Sequence, residues 1–176
     1  VSVTFTDANC SITTTFTITE PSAILITEVS QTPVSCYGGS DGTETISVVG
    51  GTPGLTGYNY LWSNTQTGTT ASGLPAGSIS VIVTDGNLCT ATQSFTITEP
   101  TALTASTTAI NSTCYQTPNG SVTVNAAGGT VPYSYLWSDA QFTATASNLL
   151  AGAYSCTVTD LNGCTVTSFG VVGEPA

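Results

Sequence analysis

The sequence predicts an all-β protein in which similar β-sandwich modules follow one another along the chain. Three observations support this: β-branched and aromatic residues alternate with polar ones, helix formers are scarce, and one set of landmarks recurs in a fixed order. Alternation with a period of two is typical of strands that bury one face. Self-similarity on this scale is typical of repeat proteins, so we expect an extended array of modules and not one large core.

The repeat is marked most clearly by the Glu-Pro dipeptides that end each block, at Glu20-Pro21, Glu99-Pro100 and Glu174-Pro175. Cys-Tyr, Gly-Thr, Tyr-Leu-Trp-Ser, Ala-Gly and Thr-Asp recur between these dipeptides in the same order. We therefore divide the chain into the C-terminal hairpin of a preceding truncated module, at residues 1–20, and two complete modules, at residues 21–99 and 100–176.

Each complete module is predicted to hold a looser first strand and five clear strands. In the second module these strands cover residues 102–107, 120–126, 133–138, 143–149, 153–160 and 164–172. The five clear strands of the first module begin near residues 43, 58, 69, 78 and 89. Gly-rich and Asn/Asp-Gly turns separate these runs, as in a two-sheet sandwich. Trp62 and Trp137 fall within strands, so we expect both indoles to fill the core between the sheets.

The six cysteines lie at matched positions in successive blocks, which predicts disulfides and an oxidising, extracellular location. Four chain reversals are expected between the strand after Cys36 and the strand begun by Cys89, so both residues should lie at one end of the first module. We therefore predict a Cys36–Cys89 disulfide and, by the same reasoning, a Cys114–Cys164 disulfide. An alternative pairs Cys10 with Cys36 and Cys89 with Cys114, which requires consecutive blocks to fold back on each other.

Two cysteines remain outside the predicted pairs. Cys10 matches Cys89 and Cys164 in the repeat, so its partner is expected in a module upstream. Cys156 is an additional thiol on a strand face that carries apolar residues, and we expect it to be a small buried side chain. A zinc site is the competing interpretation of the cysteines, but the chain has no His and no Cys-x-x-Cys pair.

The charge of the chain excludes several functions. It has no Lys, Arg or His and ten acidic residues, so it cannot neutralise phosphates, and nucleic acid is not an expected partner. No side chain offers a histidine or amine base, so we predict that the protein is not an enzyme. No apolar run approaches the length of a membrane helix, so direct membrane insertion is not expected.

Calcium is the one metal that suits the available oxygen ligands, and no other cofactor is expected. Asp41 and Asp85 are the candidate calcium ligands, because the predicted Cys36–Cys89 pairing would bring them to one end of the module. The competing interpretation is that aspartates at the end of a strand stabilise the turn that follows. It applies to Asp7, Asp85 and Asp160. Their carboxylates are expected to accept hydrogen bonds from nearby backbone amides.

Five segments together resemble the SprB repeat, and the resemblance spans essentially the whole chain. They are residues 34–42 (Val-Ser-Cys-Tyr-Gly-Gly-Ser-Asp-Gly), the two Tyr-Leu-Trp-Ser motifs, residues 73–77 and residues 159–164. Asn119 departs from this pattern, because it stands where the first module has Asp41. SprB repeats occur in very large surface adhesins of gliding Bacteroidota that are exported by the type IX secretion system.

The resemblance implies a gliding-motility adhesin. We expect serial immunoglobulin-like modules in a cell-surface filament that links the cell surface to a substratum. The expected partners are neighbouring modules, external surfaces or polysaccharide, and the gliding machinery.

Two alternative functions stay open at this point. Tyr37 or Tyr115, if exposed, could make each module a polysaccharide-binding unit. Residues 1–20 match only the last two strands of a module, so an unpaired edge strand could instead drive self-association into an extracellular fibre.

Overall fold

The computed structural model describes residues 1–175; Ala176, the last residue of the predicted second module, lies outside the described residues. Every regular element in the described part of the chain is a β-strand. The strands form one hairpin and four three-stranded sheets, and all pairings between neighbouring strands are antiparallel.

Residues 1–20 contain the hairpin, formed by β1 (Ser2–Thr6) and β2 (Ser11–Thr15). The apolar side chains of Phe5 and Ile18 are 66% and 79% exposed. At the matching positions of the first module, Val83 and Ile97 are buried in the core. The hairpin thus carries the apolar pattern of the last two strands of a module without a core to bury it.

The first module consists of two sheets that face each other. Its strands are β3 (Leu25–Thr32), β4 (Gly42–Val49), β5 (Asn59–Trp62), β6 (Thr70–Leu74), β7 (Gly77–Thr84) and β8 (Thr90–Ile97). One sheet has the order β3-β4-β6 and the other has the order β5-β7-β8. The inward-facing residues of β4 and β7 alternate with more exposed ones, as the period of two predicts.

The second module repeats this arrangement. Its strands are β9 (Thr104–Ile110), β10 (Gly120–Ala127), β11 (Ser134–Trp137), β12 (Thr145–Leu149), β13 (Gly152–Thr159) and β14 (Thr165–Val172). The sheet orders are β9-β10-β12 and β11-β13-β14. Each module is therefore an immunoglobulin-like sandwich of two sheets with its own hydrophobic core.

One tryptophan lies in the centre of each core. Trp62 and Trp137 are 1% and 2% exposed. Because a buried indole N–H needs an acceptor, each Nε1 donates to a backbone carbonyl of the following loop: Trp62 to Gly68 at 3.0 Å and Trp137 to Thr143 at 2.8 Å. The same loop carries the chain from one sheet to the other.

The path from β5 to β6 explains an error in the predicted geometry. β4 begins beside the ends of β6 and β8. The close approach at Gly42 shows this, since a Cβ added there would contact the Leu74 carbonyl and the side chain of Ile97. β5 and β6 therefore run in the same direction in different sheets, and three reversals separate β4 from β8. The start of β8, next to Cys89, lies at the opposite end of the module from the start of β4, and the expectation of four reversals was wrong.

Candidate functional site

A disulfide joins the two modules. It links Cys36, in the loop between β3 and β4, to Cys164, just before β14, and their Cα atoms are 5.8 Å apart, within the usual range for a disulfide. The predicted pairings Cys36–Cys89 and Cys114–Cys164 are therefore wrong. Cys89 and Cys114 are exposed free thiols.

The physical reason is the direction of the strands. Within one sandwich the β3–β4 loop and the start of the last strand lie at opposite ends, too far apart for a disulfide. At the Glu99-Pro100 junction, however, the β3–β4 loop of the first module meets the β13–β14 turn of the second. The bond therefore forms between modules and not within one.

The other two cysteines have different environments. Cys10 is an exposed free thiol in the hairpin, and the alternative pairing of Cys10 with Cys36 is not found. Cys156 is fully buried in the second core, and this burial raises the pKa of its thiol. A buried thiol of this kind is inert and fills space like a small apolar side chain.

Glu99 holds the loop that carries Cys36. Its Oε2 accepts a hydrogen bond of 2.6 Å from the backbone N–H of Gly38. The N–H of Val34 donates to the carbonyl of Thr98 at 2.9 Å. The loop is thus fixed to the residues that lead into the second module, which directs Cys36 towards that module.

Asp160 fixes the turn that carries Cys164. Its Oδ1 accepts hydrogen bonds of 2.9 Å from the N–H groups of Asn162 and Cys164, and its Oδ2 accepts one of 2.8 Å from Thr130. These hydrogen bonds, above all the one from Thr130, hold the pKa of the Asp160 carboxyl below its usual value. The turn role predicted for the aspartates is confirmed here.

The matching aspartates have the same role. Asp85 accepts hydrogen bonds from the N–H groups of Thr52, Asn87 and Cys89. Asp7 accepts hydrogen bonds from the N–H groups of Asn9 and Cys10.

Asn162 adds a polar contact across the junction. Its Nδ2 donates to the carbonyl of Ser35 at 2.9 Å, and it also lies 3.2 Å from Oγ1 of Thr130. A crevice of about 390 Å³ beside the disulfide is lined by Tyr37 from the first module and by Ala102 and Leu103, among others, from the second. The junction therefore combines one disulfide, one hydrogen bond between the modules and a crevice lined by residues of both modules.

The candidate calcium ligands do not converge. Asp41 lies in the Cys36 loop, where its carboxylate accepts hydrogen bonds from the N–H and the hydroxyl of Ser35. Asp85 lies at the other end of the module, beside Thr52 and Cys89. The expectation that these two carboxylates meet was wrong, for the same reason as the disulfide pairing.

Within residues 1–175, no cluster of three or more His, Cys, Asp or Glu residues is arranged to hold a metal ion. In the same part of the chain, no helix is long and apolar enough to span a membrane.

Sequence reasoning missed Glu99 and Asn162 as parts of the junction. A signal for Glu99 was present, because a glutamate precedes proline at every block end. Asn162 matches Asn87 two positions before a cysteine. Neither pattern shows that the side chain bonds to the Cys36 loop, since this requires the relative position of two modules.

Solved structures with a similar fold include three N-terminal domains of the Highly Immunogenic Outer Capsid protein (Hoc) of bacteriophage RB49. That match has 15% sequence identity and a TM-score of 0.50 and covers 87% of this chain and 58% of the Hoc chain. Dscam1 isoform 7.44, with four N-terminal Ig domains, matches at 10% identity and a TM-score of 0.40 over 96% of this chain and 51% of its own. The chain thus spans between half and three fifths of these two structures, and the likeness to the Hoc domains concerns the fold alone. The comparison with curated proteins gives no match.

The SprB-repeat profile matches residues 29–67 and 106–142, one segment in each module. Both segments begin in the first strand of a module and extend past its Tyr-Leu-Trp-Ser motif. Each module therefore contains a segment that matches the SprB repeat, as the resemblance predicted.

Proposed function

We propose that this chain is a force-bearing segment of a large secreted adhesin filament that links a cell surface to a substratum. The observation that carries the proposal is the Cys36–Cys164 disulfide between consecutive modules. The two cysteines are separated by 128 positions in the sequence, and the segment between them contains every strand from β4 to β13. Tension applied to the two ends of the chain passes through the sulfur bridge and bypasses these strands.

The composition suits the same role. The described part of the chain has no Lys, Arg or His, so the modules are held by apolar cores, backbone ladders and the disulfide, and the net charge of −10 opposes collapse of the filament on itself. The role needs no cofactor. Its partners in this proposal are neighbouring modules, an external surface or polysaccharide, and the gliding machinery.

The location and export of the protein belong to the proposal as well. A disulfide between exposed loops suits an oxidising, extracellular compartment, and the SprB repeats suit a cell-surface protein. Export by the type IX system and a part in gliding follow only from the resemblance. Antibodies against the modules should label intact cells without permeabilisation, and labelling only after lysis would contradict the extracellular location.

Single-molecule force spectroscopy tests the mechanical role. The chain is pulled from its two ends, first oxidised and then with a reductant. Reduction should release the 128-residue segment and add roughly 420–460 Å of extension, at about 3.3–3.6 Å per residue. The double variant Cys36→Ser/Cys164→Ser should show the long extension without reductant, and Cys156→Ser should behave like the oxidised parent. Full extension of the oxidised parent would contradict the proposal.

Polysaccharide binding is a second candidate, because Tyr37 and Tyr115 are 62% and 65% exposed. Tyr37 lines the crevice at the junction, whereas Tyr115 lies at the outer end of the second module. A glycan array on the parent, Tyr37→Ala and Tyr115→Ala chains separates the candidates. Saturable binding that Tyr115→Ala removes would favour a binding module, and no binding by any of the three chains would favour a purely structural segment.

A further inference from the structure

A buried carboxylate lies near one edge of the first sandwich, where β3 faces β8. Glu44 on β4 is fully buried, and its side chain extends towards β3, because Oε2 accepts a hydrogen bond of 2.9 Å from Nε2 of Gln31. Oε1 of the same carboxylate is buried and has no hydrogen-bond partner within the described residues. A buried polar atom without a partner is rare and costly, so Oε1 marks a place where a ligand would bind favourably.

Glu28 brings a second carboxylate to this edge. In the pairing of β3 with β4, Glu28 lies opposite Ile46 and Gln31 lies opposite Glu44. Because opposite residues of an antiparallel pair share one face of the sheet, Glu28 projects from the inner face, as buried Ile46 does. Glu28 is thus the diagonal neighbour of Glu44, and diagonal neighbours lie roughly 7–8 Å apart, within reach of long side chains. The side chain of Glu28 is nevertheless exposed, so solvent ions reach it.

The second module shows the same edge in a closed form. Thr107 stands there at the position of Glu28, opposite a core residue of the neighbouring strand. Its Oγ1 donates a hydrogen bond of 2.5 Å to the carbonyl of Phe169, which joins β9 to β14 across the edge. In the described part of the first module, no hydrogen bond joins β3 to β8.

One residue of the last strand explains this difference. Gly170 of β14 lies so close to β10 that an added Cβ would clash with Cγ1 of Val122. The matching residue of β8 is Phe95, whose ring packs against the core of the first module. Because the phenyl ring needs the space that Gly170 leaves to its neighbours, the edge of the first module stays open.

The two carboxylates have no cationic side chain to neutralise them, since the chain contains no Lys, Arg or His. Burial is the main cause of the raised pKa of Glu44, and the negative charge of Glu28 adds to it. Ionisation of both groups therefore calls for a cation from solution. Calcium suits the site, because it binds carboxylate, amide and backbone oxygens in flexible geometry and also accepts water, whereas magnesium requires a nearly ideal octahedron.

We propose that the first module binds one calcium ion at this edge, with Oε1 of Glu44 and the carboxylate of Glu28 as its charged ligands. Gln31 offers its amide oxygen, since its Nε2 already donates to Glu44. A β-bulge at Val29, between Glu28 and Ser30, leaves one residue outside the ladder, and backbone carbonyls there and water complete the shell.

The bound ion would connect β3 to β4 at the open edge. With only two carboxylates, the site should have a Kd of roughly 10⁻⁴–10⁻³ M, as in extracellular calcium modules. It lies apart from Asp41 and Asp85, which do not converge, and it is independent of the force-bearing role proposed for the chain.

Thermal unfolding with and without calcium tests the site. In a Trp137→Phe background, the fluorescence of Trp62 reports on the first module, and a chelator defines the calcium-free state. Calcium at about ten times its Kd should raise the melting temperature of this module by roughly 5–10 °C. Calorimetric titration with calcium chloride should give one bound ion per chain.

Three single variants separate specific binding from screening of the negative chain. Glu28→Gln and Glu44→Gln each remove one charged ligand and should reduce the calcium shift to roughly 3 °C or less, because the Kd rises at least tenfold. Glu20→Gln removes an exposed carboxylate outside the site and should keep the full shift. Since Glu28 is exposed, its variant tests the ligand without disturbing the core.

Equal calcium shifts in the parent and all three variants would show that calcium only screens the charge of the chain, and would overturn the proposal. A titration that detects no bound ion at millimolar calcium would overturn it as well. Neither outcome affects the proposed function, because the force experiment depends on the disulfide and not on calcium.

Discussion

Glu44 occupies in the first module the core position that Val122 occupies in the second. Both residues are fully buried, in strands β4 and β10 that have the same burial pattern. Oε2 of Glu44 accepts a hydrogen bond of 2.9 Å from Nε2 of Gln31, but its Oε1 has no partner within the described residues. A buried carboxylate with an unpaired oxygen is costly, so the two cores should differ in stability.

Replacing Glu44 with the residue of the other module should stabilise the first module. We expect Glu44→Val to raise its free energy of unfolding at pH 7 by about 1–3 kcal/mol, because the unpaired oxygen is removed from the core. Chemical denaturation followed by fluorescence in a Trp137→Phe background, where Trp62 reports on the first module, measures the change. Val122→Glu is the matched control and should weaken the second module. A loss of stability in Glu44→Val would contradict this account of the core.

The stability of the first module should also depend on pH through Glu44. Burial raises the pKa of this carboxyl above its usual value of 4.5, so the folded chain keeps a proton that the unfolded chain releases. This contribution is present in full below pH 4.5 and is lost as the pH rises towards the folded-state pKa. Denaturation midpoints from pH 4 upwards should show the decline in the parent. In the Glu44→Gln variant this decline should disappear. An equal decline in the parent and in the variant would show that another group causes the pH dependence.

Asp160 should show the opposite pH dependence. Hydrogen bonds from backbone N–H groups lower the pKa of its carboxyl below 3.8, so its stabilising contribution is present above that value and is lost as the pH falls through the folded-state pKa. Asp160→Asn replaces one acceptor oxygen with an NH₂ group and should lower the melting temperature of the second module at pH 7. The difference from the parent should shrink in acid. A difference that stays constant from pH 7 to pH 2 would argue against an ionised Asp160 as the acceptor.

The strands could be predicted from the sequence because they depend on local pattern. The last strand of the second module was expected at residues 164–172 and is found at Thr165–Val172, since alternating apolar residues end at a turn. The tryptophan cores follow from the same pattern, because an indole within a strand needs the space between two sheets.

The junction could not be predicted because it depends on directions and contacts that no local pattern encodes. The polar loop between Trp62 and Thr70 resembles any turn, whether the chain reverses there or crosses to the other sheet in the same direction. This single difference moved Cys89 to the opposite end from Cys36. The partner of Cys36 then lies in the next module, and no pattern within one module identifies it.

The location of the disulfide is the central claim, and non-reducing peptide mapping of the monomeric chain tests it most directly. Free thiols are alkylated first, the chain is digested without reduction, and cross-linked peptides are identified by mass spectrometry. The structure predicts one linked pair that contains Cys36 and Cys164, with Cys89 and Cys114 alkylated. Linked peptides that join Cys36 to Cys89 and Cys114 to Cys164 would show that each bridge closes within one module and would contradict the account.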